Sequence, residues 1–230
     1  MARCCDPRGC DDFFGPRFAR QVAKRYRKRG PDKPARQMIE FLDRQGIEGL
    51  TVLEVGGGIG EISLELLKRG AHSSLNLELS SAYDAEAQQL VREAGLEGRA
   101  VRRLHDIAVD PDGVEAADIV VLHRVVCCYP DYRRLLTAAA EHARRMVVFS
   151  HPPRNAASRL VVGAQNLAFR LKGSEFRTFT HPPAAMLSVL EDHGLRRTFA
   201  HDGLVWRVAG LTRPRPGQGD AGSSSSISEL

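Results

Sequence analysis

The chain has 230 residues, 43% hydrophobic and 27% charged, which is enough for one domain with a full core and ordinary for a water-exposed globular fold. No apolar run reaches the roughly 18–20 residues that cross a bilayer, and the N-terminus lacks the apolar core of a secretory signal, so membrane insertion and export are not expected and a cytoplasmic location is. The net charge of +5 is modest, 33 basic against 28 acidic residues, but it is unevenly spread.

The first feature in chain order is a cysteine cluster, Cys4, Cys5 and Cys10 in RCCDPRGCDD. The remaining two of the five cysteines, Cys127 and Cys128, are adjacent in VVLHRVVCCYPDY. In a reducing compartment an odd number of thiols in two tight groups reads as free, metal-binding or reactive rather than as structural disulfides. A basic stretch follows, in which Arg17, Arg20, Lys24, Arg25, Arg27, Lys28, Arg29, Lys33 and Arg36 face only Asp32. That segment is either a solvated helix face or a surface for RNA phosphates or an anionic substrate. Between Pro16 and Gly46 the pattern predicts two helices, broken at residues 29–34 by Gly30, Pro31 and Pro34, with Asp32 able to cap the second.

Strands and helices then alternate. LTVLEV (50–55), SLNLEL (74–79), AVRRLHDI (100–107), DIVVLH (118–123) and RMVVFSH (145–151) read as strands, separated by helical patterns at 61–70, 82–95 and 132–143. Aliphatic strands taking turns with helices predict an α/β fold, a Rossmann-like, mostly parallel sheet of seven strands with helices on both faces. A helical stretch, NAASRLVVGAQNLAFRLKG (155–173), interrupts the alternation and is expected to form a lid over about 152–183. A further helix (184–194) and two closing strands around Asp202 and Gly203 complete the domain. The expected organisation is an N-terminal cysteine-containing segment and helical cap (1–46), a domain at 47–212, and a tail at 213–230 with no apolar face to bury, expected to be disordered.

The turn after the first strand, LEVGGGIGE, carries Glu54, Gly56, Gly57, Gly58 and Gly60. Glycines here let a nucleotide-like ligand lie against main chain. A dinucleotide fingerprint starting at Gly56 needs glycine at 61, where the chain has Glu61, and a carboxylate at that helix N-terminus would repel a pyrophosphate. No Lys-Ser or Lys-Thr follows the glycines, so a P-loop is excluded. Glu78 ends the second strand, where an acid can take both hydroxyls of an adenosine ribose. Asp106 and Ile107, after the third strand, are candidates for an adenine amino group and ring.

LEVGGGIGE, LNLELS, LHDI and DIVVLHRVVCCYPD, in that order, resemble the motifs of class I S-adenosylmethionine-dependent methyltransferases over roughly residues 47–211. VCCYPD with FRTFTHPPAAMLSVLEDHGL is most similar to the branch of magnesium-protoporphyrin and ubiquinone O-methyltransferases. The resemblance implies that Glu54 and the glycines serve the methionine end of S-adenosylmethionine, Glu78 its ribose and Asp106 its adenine, with His123 and its neighbours facing the transferred methyl group. That branch commonly has His where this chain has Cys128, and an acidic or apolar residue where it has Arg124 or Cys127, so a proton acceptor or metal is not inherited with the motif.

Three histidines fall where such a fold places active-site groups: His123 after the fourth strand, His151 after the fifth and His181 on the lid side. His123, His151 and Cys128 are the catalytic candidates. Cys127 and Cys128 either pack as small hydrophobes, contact substrate, or meet Cys4, Cys5 and Cys10 around zinc, an iron-sulfur cluster or another soft metal. No C-x-x-C pair supports the last reading. The expected function is methyl transfer from S-adenosylmethionine to an oxygen, nitrogen or sulfur of a small molecule, with the lid residues Leu160, Val161, Val162, Leu167, Phe169 and Leu171 either hinting at a hydrophobic acceptor or packing as core. The alternatives are an RNA methyltransferase using the basic helix, a protein that binds S-adenosylmethionine without catalysis, and a dehydrogenase.

Overall fold

In a computed structural model the described residues are 14–214, and Cys4, Cys5, Cys10 and the expected tail from residue 215 lie outside them. Two helices come first, α1 (Pro16–Arg29) and α2 (Lys33–Arg44). Asp32 ends the break between them and accepts a bond from Ala35 N at 3.0 Å, which caps α2 as expected. The rest follows in the order β1 (Thr51–Val55), α3 (Glu61–Lys68), β2 (Ser73–Glu78), α4 (Asp84–Glu93), β3 (Ala100–Leu104), β4 (Ala117–Leu122), α5 (Tyr132–Glu141), β5 (Ala143–His151), α6 (Ala156–Leu171), α7 (Pro183–Asp192), β6 (Arg196–Asp202) and β7 (Arg207–Thr212).

The seven strands form one sheet in the order β3-β2-β1-β4-β5-β7-β6. Pairing is parallel from β3 to β5, and β7 runs antiparallel between β5 and β6. The strand order reverses between β1 and β4, which leaves a crevice at the carboxyl ends of both. β3 stops at Leu104 rather than 107 because LHDI turns away: Val109 N and Asp110 N both bond Asp106 O, at 3.0 Å.

Each central strand alternates between two cores, as a sheet covered on both faces requires. Val120, Leu122, Val147 and Phe149 point to the core under α5 and α7, whereas Ile119, Val121, Met146 and Val148 point to the one under α2 and α3. Phe149 is fully buried and lies beside Leu122 of β4 and Ala209 of β7.

The cap is bound to the domain by both apolar and charged contacts. Ala19, Ala23 and Tyr26 of α1 are buried, Tyr26 Oη donates to Glu65 Oε1 at 2.8 Å, and Arg27 pairs with Glu93 at 2.9 Å and Glu86 at 3.4 Å. Part of the basic stretch is therefore paired with acids of the domain's own surface. Replacing Phe149 by Ala should lower the unfolding free energy by about 3–5 kcal/mol, read from urea transitions, because it empties the centre of one core.

Candidate functional site

The carboxyl ends of β1, β2 and β4 open into a cavity of about 480 Å³. Glu54, Gly56, Gly57, Gly58, Glu78, Asp106, Ile107, His123 and Cys128 all line it, so one site collects most of the residues singled out in the sequence. Gly60 lies just behind, where its left-handed φ of 78° opens α3.

The glycine turn is shaped by contact as well as by torsion. Gly56 has φ 63°, and a Cβ there would stand 2.5 Å from a methyl of Val125, whereas a Cβ on Gly57 would stand 2.6 Å from the carboxyl carbon of Glu54. The turn is bare backbone because side chains already stand against it.

Buried carboxylates dominate the floor of the cavity. Glu54, on β1, is 1% exposed and accepts from Ser63 N at 3.1 Å; burial pushes its carboxyl up to about 7. Glu61, the first residue of α3, is likewise pushed up to about 7, by burial and then by the charge of Asp32, with Arg25 3.7 Å away acting against the shift. Glu78 accepts from Gly58 N at 2.6 Å and from Leu79 N at 2.9 Å, so the second strand's acid holds the glycine turn in place. Asp106 accepts from Ala108 N at 3.0 Å and from the Tyr129 hydroxyl at 3.1 Å.

Above that floor, the segment after β4 carries His123, Arg124 and the two thiols. His123 Nδ1 lies 3.1 Å from Ser150 Oγ, which accepts from Arg124 N at 2.9 Å, and its Nε2 lies 3.6 Å from Asp32 Oδ1. Burial pulls the imidazole below its ordinary value, against the opposing pull of Asp32. Burial also works against the charge on Asp32, but the hydrogen bond and charge of His123, the Ala35 amide and Arg124 outweigh it and hold that carboxyl well below the usual range. Arg124 is the one non-glycine residue among those described with positive φ, at 60°. Its guanidinium bonds Asp32 and lies 4.9 Å from the Trp206 ring centroid, interactions that hold a backbone conformation side chains seldom adopt.

Cys127 and Cys128 form a 3₁₀ turn with their sulfurs 3.7 Å apart. Cys127 is buried and a hydrogen bond from Cys128 pulls its thiol down, while Cys128 reaches the cavity. The three N-terminal cysteines lie outside the described residues. Among those described, the side chains gathered with metal-ligating spacing are Asp32, Glu61 and His123, one donor atom from each within 4.8 Å of the others. These are hard oxygen and imidazole donors rather than thiols, and Arg25 and Arg124 supply the countercharge there.

His151 does not line the cavity. It ends β5, with Nδ1 2.9 Å from Pro152 O, and burial lowers its pKa. His181 is a lid anchor, with Nε2 2.9 Å from Tyr129 O. Beside it Phe179 N donates to Cys127 O at 2.7 Å, so the lid segment is tied directly to the thiol turn. The mouth is aromatic: Phe14 meets Phe176 at 5.2 Å and Tyr83 at 6.2 Å, and Phe18 meets Tyr83 at 6.5 Å, so cap and lid close together.

No protein-family model matches the sequence, and no curated protein matches it. Solved structures do. Magnesium protoporphyrin IX methyltransferase from Synechocystis, with bound S-adenosylhomocysteine, matches at TM-score 0.64 and 21% identity over 78% of this chain and 81% of its own. An O-methyltransferase family protein from Burkholderia thailandensis matches at TM-score 0.66 and 17% identity, over 89% of this chain and 62% of its own. Human N-acetylserotonin methyltransferase in complex with S-adenosylmethionine matches at TM-score 0.61 and 15% identity, over 87% and 56%. The fold is that of the class I methyltransferases. The glycine turn after β1 sits at the switch point of this methyltransferase fold, where open α/β sheets bind ligands, and the acid ending β2 lies on the neighbouring strand.

The raised Glu61 carboxyl carries a sign that can be measured. An acid whose folded pKa lies above its unfolded value favours the protonated native state, so its contribution to stability falls as pH rises from about 4.3 toward about 7. The Glu61→Gln variant should therefore gain on the native chain between about pH 5 and pH 8, by about 1–3 kcal/mol in urea titrations.

Proposed function

We propose that the chain is an S-adenosylmethionine-dependent methyltransferase acting on a small, largely apolar acceptor. The observation that carries this reading is the sign of the cavity floor. The glycine turn opens onto Glu54, Glu61 and Glu78, two of them buried enough to be held near neutrality. A pyrophosphate would meet those carboxylates at close range, whereas a ligand bearing a sulfonium and an ammonium would be stabilised by them. The dinucleotide alternative, and with it a dehydrogenase, is disfavoured on the same ground.

The residues present fit such a ligand. Glu54 and Glu61 would take its ammonium, with Arg25 close by for its carboxylate. The carboxylate of Glu78 has about four acceptor positions, and the short bonds from Gly58 and Leu79 leave room for a ribose diol in place of the loose contact from Ser80 N at 3.4 Å. Leu79, Ile107 and Tyr129 provide apolar walls for a planar base beside Asp106.

When bound, the cofactor would supply an electrophilic methyl carbon, and what remains for the protein is alignment and management of the acceptor's proton. Burial lowers the pKa of His123, which favours its basic form, and the anionic Asp32 beside it would stabilise the imidazolium formed on taking a proton. Cys128 would border the acceptor. Phe14, Phe18, Val22 and Tyr83 give the mouth its apolar character, which favours a small hydrophobic acceptor over an RNA base and its phosphates. Those rings, with the lid anchored through Phe179 and His181, would exclude water during transfer.

Glu78→Ala should weaken S-adenosylmethionine binding by about 1–3 kcal/mol in calorimetry, with no binding of NAD by either protein. Unchanged affinity in the variant, or tight NAD binding by the native chain, would remove the assignment.

A further inference from the structure

Two places in the molecule depart from ordinary packing. On the lid helix α6, Leu160, Val161, Leu167 and Leu171 are exposed, while on the inner side Asn166 bonds Thr178 at 2.8 and 2.9 Å and Phe169 meets Phe176 at 5.5 Å. Neither expectation drawn from the sequence, core packing or contact with an acceptor, describes those four. The second departure lies inside the domain and carries further.

A parallel sheet covered on both faces is ordinarily aliphatic on both. β2 is not. Leu75 and Leu77 pack into the core under α5 and α7, but the alternate positions, toward α3 and α4, are Ser74 and Asn76. Their partners across the ladder on β3 are Ala100 and Arg102. α4 sets Ala87, Gln88 and Val91 against them, and these short or polar side chains leave a cavity of about 390 Å³. The glycine turn separates it from the first cavity, with Ile59 common to both. Ser74 lines this second space and is 4% exposed, yet its hydroxyl has no hydrogen-bond partner among the described residues. A buried hydroxyl left unpaired is unfavourable until something in the cavity bonds it.

The same lining supports the glycine turn from behind. Asn76 Oδ1 accepts from Gly57 N at 3.3 Å, and Arg102 Nη1 donates to Gly58 O at 2.6 Å. Ser63, on the cavity wall, holds Glu54 through its amide at 3.1 Å. Three residues of the second cavity therefore fix three points of the first.

The lining also selects a ligand. Ile59, Leu64 and Val91 make apolar walls above a hydrogen-bonding floor. The outer end carries one cation and one anion, Arg92 and Glu97, both exposed and without an ion pair among the described residues. We infer that the space between α3 and α4 is a second ligand site, for a zwitterionic amino acid with a polar-tipped side chain, whose occupancy stiffens the glycine turn. The carboxylate meets Arg92, the ammonium meets Glu97, the methylenes lie along Leu64 and Val91, and the tip bonds Ser74 and Asn76. On the function proposed above, this ligand and S-adenosylmethionine would each raise the other's affinity by the same factor.

The test is equilibrium dialysis of the full chain with L-glutamine, and hydrogen exchange at residues 56–60 with and without it. One glutamine per chain is expected, with slowed exchange at the turn, and binding at least about tenfold weaker for N-acetyl-L-glutamine, which lacks the ammonium. Arg92→Gln should cost a similar factor with an unchanged unfolding midpoint, since the side chain is exposed. No binding by the native chain, binding indifferent to Arg92→Gln or to acetylation, or binding that leaves exchange at the turn unchanged overturns the inference. Displacement of glutamine by S-adenosylmethionine does so too, because it would place the amino acid in the first cavity. Glutamine binding with slowed exchange in a chain that fails to bind S-adenosylmethionine would keep the second site and remove the proposed function instead.

Discussion

The structure depends on one unusual burial: the carboxyl of Glu54 near the end of β1, 1% exposed and held by the amide of Ser63 in the first turn of α3. An acid buried with so little positive charge against it is unfavourable until a cation arrives. The surrounding features follow from that. Gly57 must lack a Cβ because Glu54 fills the space, Glu61 adds a second acid at the start of α3, and Glu78 pins the glycine turn from the neighbouring strand. A site assembled this way would, on the function proposed above, select ligands by charge sign before shape.

The second level of organisation is closure from two sides. Asp32 caps α2 and at the same time contacts His123 and Arg124, so the N-terminal helices are linked to the segment after β4 through charge. Phe14 links those helices to the lid through Phe176, and the lid is linked to the thiol turn through Phe179 and His181. Cap, lid and the turn at 123–129 are thus mechanically connected, and Arg124, held at φ 60°, sits where they meet.

Much of the architecture was legible because strand and helix periods differ. The aliphatic runs at β1, β4 and β5 and the glycine turn located both the sheet and its switch point, and the acids ending β2 and following β3 fell into the same cavity. What was not legible depends on facing rather than order. Asp32 reads as a helix cap in sequence and is one, but its second oxygen reaches residue 124, a contact between segments 92 positions apart that no local pattern encodes. His151 ends a strand just as His123 follows one, yet its ring turns to Pro152 O instead of the cavity. The lid's leucines have helical spacing that suits a buried stripe equally well; only the packing of Asn166 and Phe169 shows that the buried side is the other one. For Arg27 and Arg25, internal partners at Glu86, Glu93 and Glu61 come from distant helices, so a run of cations looked freer in sequence than it is in the fold.

The most direct measurement of the central claim is the proton count on binding S-adenosylmethionine, by calorimetry at about pH 6.5 in buffers of different ionisation enthalpy. If a cationic ligand is recognised by carboxyls raised to about 7, binding must expel protons from Glu54 and Glu61, and the release must shrink in Glu61→Gln. Binding without proton release, or release unchanged in that variant, would contradict the account of a site selected by buried acids.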